Sequence, residues 1–290
     1  MISNKDYSNI INSQMQLTQV FDWVESIRPS WNPDAKGYPT LKTNQQHVLK
    51  AVGNLFIDQL TPMTYVDIQR YALGQGKKPG TVNRITAVLS CAVGELVKHR
   101  RMVAPIPFDA LPEPKGKQEF YTTDEVRRIL AACKQIPNDG EFFYDLFFLA
   151  AKTGARQGEL LKMDWSCIDW EANTLTFYDT KNHDDRVLPL TMELRGLLKR
   201  KWRQRIDDDR LFPINKDKAL RELRKIQDMA GITNMNKNFH TFRHTAATHM
   251  FANGASLPEV KEVLGHRNER TTMRYSHATM EGKHRALATL

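Results

Sequence analysis

Residues 174–190 read TLTFYDTKNHDDRVLPL, and this stretch decides the fold class. Thr174 to Thr180 alternates polar and apolar residues, the two-residue period of a half-buried strand. KNHDDR has the composition of a turn, and RVLPL resumes an extended pattern, so the spacing predicts a β-hairpin. Helix is predicted on both sides of it. Upstream, Thr122-Thr123-Asp124-Glu125 has the form of a capping box opening a helix that carries Val126, Ile129 and Leu130. An apolar helix follows over about 141–152. Downstream, apolar residues at helical spacing predict helices near 191–206, 217–230, 241–253 and 257–264. The second half is therefore mainly α with a small antiparallel sheet.

The first 104 residues read as wholly helical. Residues 1–40 are polar with scattered aromatics (Phe21, Trp23, Trp31) and suggest one short helix and a loop. Val48, Leu49, Val52, Leu55, Phe56 and Leu60 predict a helix over 44–60 with Thr43 as N-cap. A short helix over 64–73, the breaker GQGKKPG and an amphipathic helix over 81–98 complete the unit. Val103–Lys117 holds four prolines and no periodicity, the signature of a linker. The expected organisation is a segment 1–40 of undefined role, a helical domain 41–104, a linker 105–117 and a second domain 118–290.

The composition excludes several classes. Of 290 residues, 41% are hydrophobic and 26% charged, too apolar for global disorder. Three cysteines without close spacing argue against a disulfide framework or a cysteine zinc site. No signal-like or membrane-spanning apolar run is present, so a cytoplasmic location without membrane contact is expected. The net charge is +9, shared as +4 over residues 1–115 and +5 over the remainder, which points to a polyanionic partner, nucleic acid first.

Certain second-half residues bear chemistry. Thr153-Gly-Ala-Arg156-Gln-Gly-Glu159-Leu160 places an arginine at a helix N-terminus, where anions are favoured, with Glu159 three residues on to orient it. A simple structural Arg–Glu pair fits equally. His240 and Arg243 share a helix face and can both donate to phosphate oxygens. The metal-binding H-E-x-x-H pattern is broken by Thr241, so no metal is expected; His244 and His249 read as packing or capping residues. Leu264-Gly265-His266 ends a helix at a glycine C-cap and projects His266 beyond it. Tyr275 is the sole tyrosine after Tyr178, and its use as a nucleophile needs nearby cations. Lys181 lies at the hairpin tip. Taken singly, the glycine-flanked arginine, the histidines and the tyrosine all have structural readings as well.

Their order resembles that of the tyrosine recombinase (phage integrase) family: T-G-x-R-x-x-E-L, a hairpin lysine, H-x-x-R-H, L-G-H, then a tyrosine nine residues later. The likeness covers the second half from about Phe120. The helical first part resembles, less specifically, the family's SAM-like core-binding domain, through Pro79-Gly-Thr-Val-Asn-Arg84. The resemblance implies an enzyme, a site-specific DNA recombinase that needs neither metal nor ATP nor any other cofactor. Arg156, His240, Arg243 and His266 would surround the scissile phosphate, Glu159 would support Arg156, Lys181 would protonate the leaving 5′ oxygen, and Tyr275 would form a 3′-phosphotyrosyl link. The implied partners are double-stranded attachment sites, three further copies of the chain on DNA, and accessory DNA-bending or directionality factors, in the integration or excision of a phage or mobile element. The 15 residues after Tyr275 resemble the family's tail that docks on a neighbouring protomer. Arg84, Lys98, Arg100 and Arg101 are the DNA-contact candidates of the first domain, whereas the run 199–205 reads as a solvated helix face. Two alternatives are weighed: a type IB topoisomerase-like enzyme using the same residues, and a DNA-binding regulator without chemistry, which would require a lost catalytic position.

Overall fold

In the computed structural model the residues described are 15–102, 104–114, 119–178, 185–205, 209–234, 236–266 and 268–275. The chain divides into two units, Met1–Gly116 and Lys117–Leu290. Among the described residues no helix is long and apolar enough to cross a membrane.

The first unit contains α1 (Leu17–Ile27), α2 (Tyr38–Val52), α3 (Pro62–Gly74) and α4 (Pro79–Lys98). Leu17, Val20, Phe21 and Val24 on α1 meet Val82, Ile85, Leu89, Ala92 and Leu96 on α4 in one core. Each of these side chains larger than alanine, when fully buried, contributes roughly 1.5–3 kcal/mol. Glu95, 8% exposed, takes the Arg28 guanidinium at 2.6 Å. The helix expected over 44–60 is corrected in both bounds. It begins at Tyr38, with Pro39 accommodated in its first turn, and ends at Val52, where Gly53 turns to φ +77°. Thr43 is interior to it, its hydroxyl donating to the Pro39 carbonyl (2.9 Å). Leu55, Ile57 and Leu60 still pack on the core from beyond the α-helix, along a path with a short 3-10 turn over Ile57–Gln59, so their spacing reports burial and not one continuous α-helix. Residues 104–114 of the Pro-rich stretch lie along this unit: Phe108 stacks on Tyr65 (centroids 4.3 Å), and the Asn83 side chain bonds the Leu111 N–H (2.8 Å) and carbonyl (2.9 Å).

The second unit contains α5 (Thr123–Cys133), α6 (Gly140–Thr153), the single turn α7 (Gln157–Leu160), β1 (Ile168–Asp169), β2 (Thr174–Phe177), β3 (Arg186–Pro189), α8 (Met192–Arg203), α9 (Lys216–Met229), α10 (Phe239–Ala252), α11 (Leu257–Leu264) and α12 (Glu269–Met273). The capping box opens α5: Thr122 Oγ1 accepts from the Glu125 N–H (3.1 Å), and the Glu125 carboxylate accepts from the Thr122 N–H (2.8 Å). α6 is the axis of the core, burying Phe143, Leu146, Phe147, Leu149 and Ala150, and Phe147 stacks on Phe242 of α10 (5.6 Å).

The predicted hairpin strands pair antiparallel with Leu175 opposite Leu188 and Phe177 opposite Arg186. β1, which the sequence does not reveal because it is two residues long, adds to the other edge of β2. Leu175, Phe177 and Leu188 face the core while Val187 is exposed, as a period of two requires. In the basic run 199–205, Lys199, Arg203 and Arg205 are exposed as a solvated face requires, whereas Arg200 reaches to Asp145 and Glu141, and the Lys201 ammonium sits 4.9 Å from both the Phe142 and Phe212 rings.

Candidate active site

Four segments far apart in sequence meet at the ends of α6, α10 and α11. α6 stops at Gly154, whose φ of +61° is left-handed and favours glycine. A Cβ there would lie 2.4 Å from Leu264 Cδ2 and 3.1 Å from Ala246 Cβ, so the absent side chain lets α11 and α10 close on this turn. The chain restarts two residues later with Arg156 as the N-cap of α7. Glu159 is the node of this corner. Its Oε1 accepts from Arg156 Nη1 (2.5 Å), and its Oε2 accepts from the Arg156 backbone N–H (2.9 Å) and from Arg186 Nη2 (2.9 Å).

α10 begins at Asn238, whose side chain accepts from the His240 N–H (2.8 Å), placing His240 in the first turn and Arg243 one turn deeper. Arg243 is 1% exposed and donates to the carbonyls of Gly154 (3.0 Å) and Leu264 (2.5 Å). Those carbonyls belong to helix C-terminal turns that lack intrahelical donors, so the guanidinium caps both helices. His266 follows the Gly265 C-cap and turns inward beyond the end of α11. It is buried, with Nδ1 paired to the Thr272 hydroxyl (2.9 Å).

Tyr275 is 8% exposed and lies against α10 and α11 with Ala247, Val260 and Leu264. Its ring is nearly parallel to His266 (centroids 6.4 Å, 10°), and its hydroxyl is 2.5 Å from His244 Nδ1. His244, read from the sequence as a packing or capping residue, therefore lies in contact with the candidate nucleophile. The available signal was its position, four residues after His240 on the same helix face. Arg186 was likewise visible only as a member of the returning strand. The tip lysine, Lys181, falls outside the described residues.

Arg156, Arg186 and Arg243 set three positive charges against the single Glu159 carboxylate among the described residues. The surplus is felt by every neighbouring base. Burial, then Arg243 and Arg156, push His266 down to about 3. Burial, then His240 and Arg243, push His244 down to about 4, and His240 is lowered by burial and the same arginines. Arg243 itself is lowered to about 9, chiefly by burial and Arg156. At neutral pH the arginines remain charged and the imidazoles are neutral, each with one N–H to donate. Such a pocket favours an anion with several oxygens. Among the described residues no three His, Cys, Asp or Glu side chains converge as metal ligands.

The first-unit candidates differ in setting. Arg84 and Arg100 are exposed, and Lys98 is exposed beside Glu95 (3.7 Å). Arg101 lies over the Trp23 ring (4.6 Å) with Nη1 3.4 Å from Met15 Sδ, which ties it into its own unit.

Residues 119–282, more than half of the chain, match the family model described as the phage integrase family. The chain belongs to that family. It is 29% identical over 177 residues to the tyrosine recombinase XerA of Saccharolobus solfataricus, covering 61% of this chain and 57% of the relative. It is 27% identical to a XerC-like tyrosine recombinase of Caldanaerobacter subterraneus over 99% of this chain and 84% of the relative. The integrase of Haemophilus phage HP1 is 32% identical, over 69% of this chain and 56% of that protein. The integrase-family chain thus spans little more than half the length of some of these relatives. Its fold is that of lambda integrase in a dimer bound to a COC' core site (TM-score 0.75, 18% identity, 91% of this chain and 77% of that one). It is equally that of a Tn1549 transposon integrase fragment in complex with a circular intermediate DNA (TM-score 0.78, 16% identity, 95% and 100%). The topoisomerase alternative takes no support from these relatives, which are named recombinases and integrases.

Proposed function

We propose that the chain is a site-specific DNA recombinase that cleaves and rejoins strands through Tyr275. The observation that carries this is the pocket's uncompensated positive charge beside a buried tyrosine hydroxyl: three guanidiniums, one carboxylate and three neutral imidazoles. A scissile phosphodiester supplies the missing negative charge, and charge built up on its non-bridging oxygens during displacement is met by fixed donors. Arg156, with its side chain 24% exposed, presents the accessible guanidinium, while His240 and His266 offer N–H groups and Arg243 keeps three of its five donors beyond the two carbonyl bonds.

Tyr275 attacks phosphorus through its hydroxyl oxygen. In the Nε2–H tautomer, His244 Nδ1 is placed to accept the phenol proton once the bound phosphate's negative charge offsets the cations that depress it, and the departing 5′ oxygen takes a proton from Lys181. The phosphotyrosyl ester conserves the phosphodiester, so a second 5′ hydroxyl reverses the step without ATP. The first unit, through Arg84, Lys98 and Arg100, would add phosphate contacts to the duplex, with steep salt dependence. Lambda integrase has been seen as a tetramer bound to a Holliday junction. A tetramer joining two duplexes, one of them belonging to a phage or mobile element, is the corresponding assembly here.

The test is a nicked suicide duplex, selected from a randomised pool by covalent trapping with the chain. An adduct mapped by mass spectrometry to Tyr275 and lost in Tyr275→Phe, with DNA binding kept, is expected. An adduct on another residue, or none from any pool, would overturn the reading.

A further inference from the structure

Arg186 joins three segments of the site, and no motif accounts for it. It opens β3 opposite Phe177 and is 5% exposed, with its guanidinium 4.3 Å from the Phe177 ring centroid. One arm donates to Glu159 Oε2 (2.9 Å) and the other to the Val263 carbonyl in the last turn of α11. Its stem lies against Gly265, where an added Cβ would come within 3.2 Å of Arg186 Cδ. Val263 and Leu264, adjacent carbonyls at one helix end, are thus taken by Arg186 and Arg243 respectively. Arg243 ties α11 to the Gly154 turn, and Arg186 ties the same helix end to Glu159.

We propose that Arg186 is a positioning residue for strand cleavage: it occupies one oxygen of Glu159 so that Arg156 is held by the other and keeps a guanidinium edge for the phosphate, while fixing the helix end that carries His266. This rests on the recombinase reading above. The physical reason lies in the Glu159 bonds. With Arg186 in place, Oε2 is filled by Arg186 and the Arg156 N–H, and Arg156 Nη1 bonds Oε1 alone. Remove Arg186, and Oε2 is left to the backbone N–H. Arg156 then gains a bidentate fit on the carboxylate, the preferred geometry for a guanidinium, and turns its second edge away from substrate. The buried corner also loses one of its two compensating cations, which strengthens the hold of Glu159 on Arg156.

The test uses the full chain and a nicked duplex on which the unaltered protein forms its adduct. Arg186→Met should lower the single-turnover cleavage rate by about 100-fold while DNA affinity stays within about twofold, the pattern of a lost transition-state interaction. Adding Glu159→Gln to that variant should restore about tenfold, because the neutral amide releases Arg156; two residues acting on one another give such non-additivity. A residue that merely fills space would show no rescue. Should Arg186→Met fail to fold, Arg186→Lys serves: it keeps the charge but has one point of attachment, and a fall of about tenfold is expected at unchanged affinity. Cleavage at the unaltered rate in whichever variant folds, or a double variant no faster than Arg186→Met, would overturn the proposal. If the unaltered chain forms no adduct on any duplex, it is the recombinase reading that fails instead.

Discussion

Gly154→Ala tests the corner on which the site is built. The new Cβ meets Leu264 Cδ2 at 2.4 Å and Ala246 Cβ at 3.1 Å, at a residue whose φ is +61°. A non-glycine residue in the left-handed region costs about 1 kcal/mol. Overpacking a filled core adds about 1–3 kcal/mol, since Leu264 is fully buried against Val260 and Tyr275. The sum, about 2–4 kcal/mol, lowers the melting temperature of a unit of this size by roughly 5–15 °C. The same displacement moves the Gly154 and Leu264 carbonyls that hold Arg243, so cleavage should fall more than stability alone explains. Calorimetry of the full chain reads the second unit's transition, and Gly196→Ala is the control. Gly196 lies exposed within α8 with nothing within 4 Å of an added Cβ, so alanine there should stabilise by about 0.5–1 kcal/mol. If both variants melt alike, the close approach at Gly154 is not what shapes the corner.

Arg156→Ala and Arg243→Ala should separate chemistry from stability. The first abolishes cleavage in a chain that melts normally. The second also costs about 3 kcal/mol or more, because two buried carbonyls lose their donor, and a normal melt for it would contradict the burial of Arg243. The pH dependence follows from depressed imidazoles. His266 and His244 are neutral in the folded unit down to about 3 and about 4, but the unfolded chain takes up protons from about 6.5. Their contribution is complete above pH 6.5 and lost as the pH falls from there towards 3–4, so denaturant melts at pH 7.5 and 5.5 should differ, and His266→Asn should shrink the difference. Chelation by EDTA should leave adduct formation unchanged; strong inhibition would redirect attention to a metal-dependent nuclease.

What the sequence determined by itself is local or repetitive. The capping box at Thr122, the buried helix after Gly140 and the strand alternation of 174–177 each follow from a pattern within a few residues. The motif residues could also be chosen there, but only through their order, which resembles that of a known family; taken singly, each has a structural reading as well. Helix bounds were less legible where burial outlasted the helix, as at Leu55 to Leu60. Only the tertiary structure decided the partners. Arg186 meets Glu159 across 27 positions and Val263 across 77; Arg243 meets Gly154 across 89; the Tyr275 hydroxyl meets His244 across 31. No periodicity encodes those distances. They arise because Gly154 lets α10 and α11 approach one turn, and the carbonyls exposed at that junction require donors that only buried arginines from other segments supply.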